Sequence, residues 1–138
     1  KRGQFGVDTV IIAKNESGLE ELNRLMAKSI DNFYYRPNLS FSDINNTSEN
    51  VVIIVKEFTK GLYHDYIGVD FTNIQRYRHR DDIVYLDDNY YPEKDDRDAY
   101  ECFASPRFNK TSYPQHILSE SEIKYYFPKS CLMQSITN

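Results

Sequence analysis

Thr9-Val10-Ile11-Ile12-Ala13, running into Lys14-Asn15-Glu16-Ser17-Gly18-Leu19-Glu20-Glu21-Leu22, decides the fold class. The first five residues are mostly β-branched and apolar without alternation, the composition of a strand buried on both faces. Ser17 with Glu20 three residues later reads as a capping box, and Leu19, Leu22, Leu25, Met26, Ile30 and Phe33 then recur at helical spacing. A strand followed directly by an amphipathic helix is the unit of α/β architecture.

Outward from that unit the pattern continues. Pro37 and the polar stretch 45–50 break the helix, and Val51 to Val55 forms a second, wholly apolar strand. Tyr66 to Phe71 reads as a third strand. The basic link Arg76-Tyr77-Arg78-His79-Arg80 leads to a fourth at Ile83 to Leu86, with no helix pattern between the two. Residues from about Glu93 to Ala104 read as a helix whose acidic first turn complements the helix dipole. Ser119 and Glu122 form a capping box with Leu118 and Ile123 placed as a hydrophobic staple, and Tyr126 and Phe127 close that helix before Pro128. The expectation is an α/β layer of mainly parallel strands with flanking helices, or part of a barrel; four strands and three helices do not close one.

The 138 residues make about one domain, and 40% apolar content supports a single modest core. Twelve Tyr and eight Phe with no Trp, beside frequent Asn, Lys and Ile, read as an A/T-rich coding bias. A net charge of -4 gives no global field to draw in a polyanion, so nucleic-acid contact requires a local basic patch. Cys102 and Cys131 are too few for a disulfide framework or zinc knuckle; Cys102 falls in a helical pattern as a small buried residue, and reduced thiols are expected. Asn38-Leu39-Ser40 and Asn109-Lys110-Thr111 are sequons by chance at this Asn content. No signal peptide or 18-residue apolar run accompanies them, which points to a soluble cytoplasmic protein without a membrane partner. The chain opens Lys1-Arg2-Gly3-Gln4 rather than with Met, as though cut from something longer.

Candidate chemistry concentrates between Ile83 and Phe103, where an apolar strand ends in Asp87 and Asp88 and meets Tyr90 and Tyr91. Carboxylates at a strand end suit a hard divalent cation or a positioned water. Neighbours on an extended strand point to opposite faces, so only one of the two enters a given site. The structural alternative is that they cap the next helix or pair with Arg97. Glu57, just beyond the second strand, reads as a second candidate ligand or as solvated edge polarity. His64, His79 and His116 have no metal-ligand spacing and read as surface or loop residues. Arg76, Arg78 and Arg80, interleaved with Tyr77 and His79, suit phosphate contact and base stacking, against which Asp81 and Asp82 offer local neutralisation. No Ser-His-Asp set, Walker loop or dinucleotide fingerprint occurs.

The order of these segments resembles a known family. Val10 to Leu22 followed by Phe33-Tyr34-Tyr35-Arg36-Pro37 resembles the "Ala-Lys-Asn-x-x-Gly-x-x-x-Leu … Phe-Tyr-Tyr-Lys-Pro" stretch of the PHP (polymerase and histidinol phosphatase) domain of bacterial DNA polymerase III alpha subunits, the C-family DNA polymerases. Glu49 to Ile54 is similar to its "Glu-Gly-Leu-Ile-x-Leu" strand, and Tyr66 to Phe71 to its "Phe-Tyr-Leu-Glu-Ile" strand. Ile83 to Tyr91 resembles "Val-Val-Ala-Thr-Asn-Asp-x-His-Tyr", with Pro92 to Ala99 continuing at preserved spacing, and Ile117 to Ile123 resembles the closing "Phe-Leu-Ser-x-x-Glu-Met" helix.

The resemblance implies a partial or trimmed PHP-type (β/α) barrel covering the later part of that domain, with the polymerase palm outside this chain. It implies a metal site at Asp88, which matches the aspartate of Asn-Asp-x-His, and at Glu57, which stands in place of a cysteine ligand. Tyr90 replaces the histidine ligand, Asp87 replaces Asn, and the His-X-His motif lies upstream of the matched part. A phenol with a pKa near 10 is a poor ligand for zinc or manganese, so the expected centre is degraded. The implied role is structural scaffold in DNA replication, with no cofactor in this segment and with polymerase domains, primer-template DNA and a proofreading exonuclease as partners; the nucleic-acid contacts at Arg76, Arg78 and Arg80 are read from the residues alone. Two alternatives stand: a phosphoesterase (3'-5' exonuclease or pyrophosphatase) using zinc, manganese or magnesium, completed by upstream histidines, and a stand-alone protein-binding module.

Overall fold

The structure is a computed structural model that describes residues 6–33, 35–104 and 111–128. Strand β1 (Thr9–Ala13) leads into helix α1 (Glu16–Asp31), then α2 (Phe41–Asn45), β2 (Val51–Val55), β3 (Tyr66–Val69), a single-turn α3 (Ile74–Tyr77) and β4 (Ile83–Tyr85). A 3-10 turn (Lys94–Asp96) opens directly into α4 (Arg97–Phe103), and α5 (Glu120–Tyr126) follows. The four strands form one sheet in the order β1-β2-β3-β4. β2, β3 and β4 are parallel, whereas β1 pairs antiparallel with β2 in the register Ile11 to Ile53. The architecture is therefore mixed α/β with a mostly parallel sheet. None of its helices is long and apolar enough to cross a membrane, among the described residues.

β2 is buried along its whole length because both faces of the sheet are covered there. Val51, Ile53 and Val55 join Ile67, Val69 and Ile83 in the main core, over which Ile44 of α2, Leu62, Tyr77, Leu118 and Phe127 pack. Val52, Ile54 and Val84 make a smaller cluster on the opposite face with Val10, Ile12, Tyr66 and Leu86. This alternation is what period-2 side chains on a two-sided sheet require.

Several expectations change. β1 is an edge strand and only half-buried throughout, since no strand lies on its far side among the described residues. Helix α1 starts earlier than Ser17 predicts: Asn15 is its N-cap and accepts from Gly18 N at 2.8 Å, while its amide donates to Asn50 Oδ1 at 2.8 Å. Gly18 is the buried residue of α1, and Leu19, Met26, Ile30 and Phe33 of its apolar stripe stay exposed. Cys102 is exposed rather than buried, because α4 buries none of its seven residues. Two short helices add to the expected elements: α2, which Ser40 and Asp43 start with a complete capping box, and the single turn α3, which falls between β3 and β4 where the sequence shows no helix pattern. The Ser119–Glu122 box is present as read. Lys1 to Gln4, Tyr34, Asn109 and Cys131 lie outside the described residues.

Candidate functional site

Parallel pairing brings the carboxyl ends of β2, β3 and β4 to one edge of the sheet, where open α/β folds hold ligands. The residues delivered there are Lys56 and Glu57 after β2, Asp70 after β3, and Asp87 and Asp88 after β4. Lys56 ties the three ends together. Its ammonium donates to the Leu86 carbonyl at 2.8 Å and lies 3.5 Å from Asp70 Oδ2. Asp70 is fixed by a local turn in which Oδ1 accepts from Thr72 N at 2.8 Å and Asn73 N at 3.3 Å. Asn73 returns a bond from its own side chain to each neighbouring strand end, donating to Gly68 O at 3.0 Å and Lys56 O at 3.3 Å.

Asp87 is half-buried and accepts from Asp88 N at 2.8 Å. Burial raises its carboxyl above the usual range, that backbone bond opposes the rise, and the Asp70 charge adds to it while Lys56 lowers it. Burial likewise pushes the Tyr85 phenol up, with Asp87 and Asp70 contributing. Asp88 is exposed, and Tyr90 rests against Tyr100 with ring centroids 5.8 Å apart. Glu57 is exposed and meets Arg76 Nη1 at 3.4 Å. The strand ends thus bring Asp70, Asp87 and Lys56 into one electrostatic unit, while Glu57 and Asp88 face solvent.

The arginines are individually engaged. Arg80 grips Asp82 with two bonds of 2.7 and 2.8 Å and stacks over Phe58 at 5.1 Å. Arg78 donates to Gln75 Oε1 at 3.2 Å. Arg97 pairs with Glu101 at 3.1 Å, not with Asp87 or Asp88. Asp82 also takes His64 Nε2 at 3.0 Å, and the Arg80 bond together with His64 holds its carboxyl well below the usual range.

Two positions differ from what the sequence leads one to expect. His116 is buried, not superficial: Nε2 lies 2.9 Å from Glu122 Oε2 and its ring stacks on Tyr91. β3 ends at Val69, not Phe71, so Asp70 lies beyond it, and a lone aspartate directly after buried Val69 marks a strand end as clearly as Asp87 does. Two clefts among the described residues lie elsewhere. One of about 350 Å³ opens beside Lys14, Asn45 and Tyr63, at the amino ends of β2 and β3, and one of about 490 Å³ lies between Lys94, Asp98 and His116.

Comparison with protein-family models, with curated proteins and with solved structures finds no match. Among the described residues no group of three or more His, Cys, Asp or Glu side chains gathers where it could hold a metal ion, and the Lys56 ammonium lies between Asp70 and the Leu86 carbonyl.

Proposed function

We propose that this chain is the later part of a PHP-like domain from a DNA polymerase III alpha-like replicative polymerase, and that it serves DNA replication as scaffold, packing against the other polymerase domains. The observation that carries this reading is Lys56 bound between Asp70 and Leu86 O. The tethered ammonium pairs with Asp70 and offsets part of the negative charge at the strand ends. Three consecutive parallel strands, each ending at that edge, suit a sector of a trimmed (β/α) barrel. Antiparallel β1 departs from the strand pattern of an all-parallel barrel.

Two experiments test this. The encoding reading frame should continue downstream into palm-domain carboxylates; a frame that stops at this domain contradicts the reading and favours a protein-binding module. The purified chain, assayed for 3'-5' exonuclease and pyrophosphatase turnover with zinc, manganese or magnesium, should match its Asp88→Ala variant at background. Turnover abolished by that substitution supports the phosphoesterase alternative instead.

A further inference from the structure

One edge of β1 has no strand beside it among the described residues. Lys56 N donates to Asp8 O and Lys14 N donates to Asn50 O, both at 2.9 Å. Hydrogen-bonded pairs alternate along an antiparallel ladder, so residues 8, 10, 12 and 14 direct their backbone groups to β2. Thr9, Ile11 and Ala13 turn theirs outward. Natural sheets blunt such edges with Lys, Pro or bulges, yet Thr9–Ala13 is regular, uncharged and free of proline.

A second surface, unpartnered among the described residues, adjoins this edge. On one flank of α1, Glu21 accepts from Ser48 N at 2.9 Å and Lys28 binds Asp43, both in the segment that leads into β2. At 3.6 residues per turn, Leu19, Met26 and Ile30 lie on the opposite flank, and they are 51%, 54% and 61% exposed. That flank faces away from β2, toward the open side of β1.

We propose that this side of the molecule is a homodimer surface, in which β1 pairs antiparallel with β1 of a second copy about a two-fold axis through Ile11. The sequence is self-complementary in that register. Ile11 of each copy exchanges two backbone bonds with the other, and Thr9 does the same with Ala13 of the second copy on either side. Val10 then stands opposite Ile12, and Asp8 opposite Lys14, in the pairs where side chains approach most closely. Asp8 and Lys14 are available for this role: Asp8 is 80% exposed and 3.8 Å from Arg36, and Lys14 is exposed with its ammonium on a backbone carbonyl, Glu49 O. A two-fold axis normal to the sheet keeps both α1 helices on one face, with their apolar flanks turned toward each other across the junction. One partner thereby satisfies both surfaces, as a foreign strand alone would not. The inference goes beyond the polymerase reading and does not rest on it.

Sedimentation equilibrium of the intact chain and its charge variants provides the test. The chain should dimerise, Asp8→Lys and Lys14→Asp should each weaken association by about tenfold or more, and the double swap should restore it. Met26→Lys should weaken it too without changing the melting temperature measured where the chain is monomeric. The amides of Thr9, Ile11 and Ala13 should exchange more slowly as concentration rises. A chain that stays monomeric at every soluble concentration overturns the proposal, and so does a dimer in which the double swap is no better than the single ones.

Discussion

Lys56 concentrates the energetics of the strand-end cluster in one side chain. Its ammonium faces a mostly buried carboxylate, with side-chain exposures of 29% for Lys56 and 16% for Asp70. Removing one member of such a pair leaves the other poorly solvated. Lys56→Met should therefore destabilise the fold by about 1–3 kcal/mol in denaturant titration, the range for leaving a buried polar partner unsatisfied. Asp87 behaves in the opposite sense. Its folded pKa is raised above the ordinary 3.8 by burial first and by Asp70 among the charges, so the folded state binds its proton more tightly than the unfolded chain does. Ionisation of Asp87 consequently costs stability, in full above the raised pKa, and the cost fades as pH falls through that pKa toward 3.8. Asp87→Asn should raise the melting temperature at pH 7, with the gain shrinking on acidification. A gain that persists unchanged at acid pH would refute the electrostatic cause. The aspartate pair at residues 87 and 88 was legible as a strand end, because an apolar run stops there. Its division of labour was not, since what separates a half-buried Asp87 from an exposed Asp88 is the Lys56 and Asp70 that long-range pairing brings to it.

At the scale of elements, two glycines test how closely the pieces approach. A β-carbon on Gly18 would sit 2.2 Å from the Asn50 carbonyl oxygen, so α1 reaches the start of β2 only because that position lacks a side chain. Gly18→Ala should cost about 1–3 kcal/mol through backbone displacement, although alanine is the better helix former by about 1 kcal/mol. A β-carbon on Gly68 meets instead the Leu86 side chain at 2.8 Å, which can turn aside. Gly68→Ala should be the milder of the two in thermal melts, and the reverse order would contradict the packing described. Helix starts were readable where the cap is a Ser with Glu three residues on, as at Ser119 and Glu122. The same rule misplaced α1, because Asn15 competes two residues earlier and gains a second bond to Asn50. α2 escaped because its box uses Asp43 and its helix is only five residues long.

For the whole molecule, the strand positions followed from apolar runs, but periodicity carries no direction, so the antiparallel β1 was invisible until the pairing was known. The stripe on α1 misled for a related reason: helical spacing identifies an apolar face without saying whether this chain covers it. What the assembled fold adds is a sheet edge whose carboxylates are served by a tethered cation. That is the claim on which the scaffold reading stands. Elemental analysis of the purified chain, equilibrated with zinc, manganese and magnesium and then dialysed, tests it most directly. The account predicts well under one metal ion per chain, unchanged by Asp88→Ala; one or more tightly held ions per chain, lost in that variant, would contradict it.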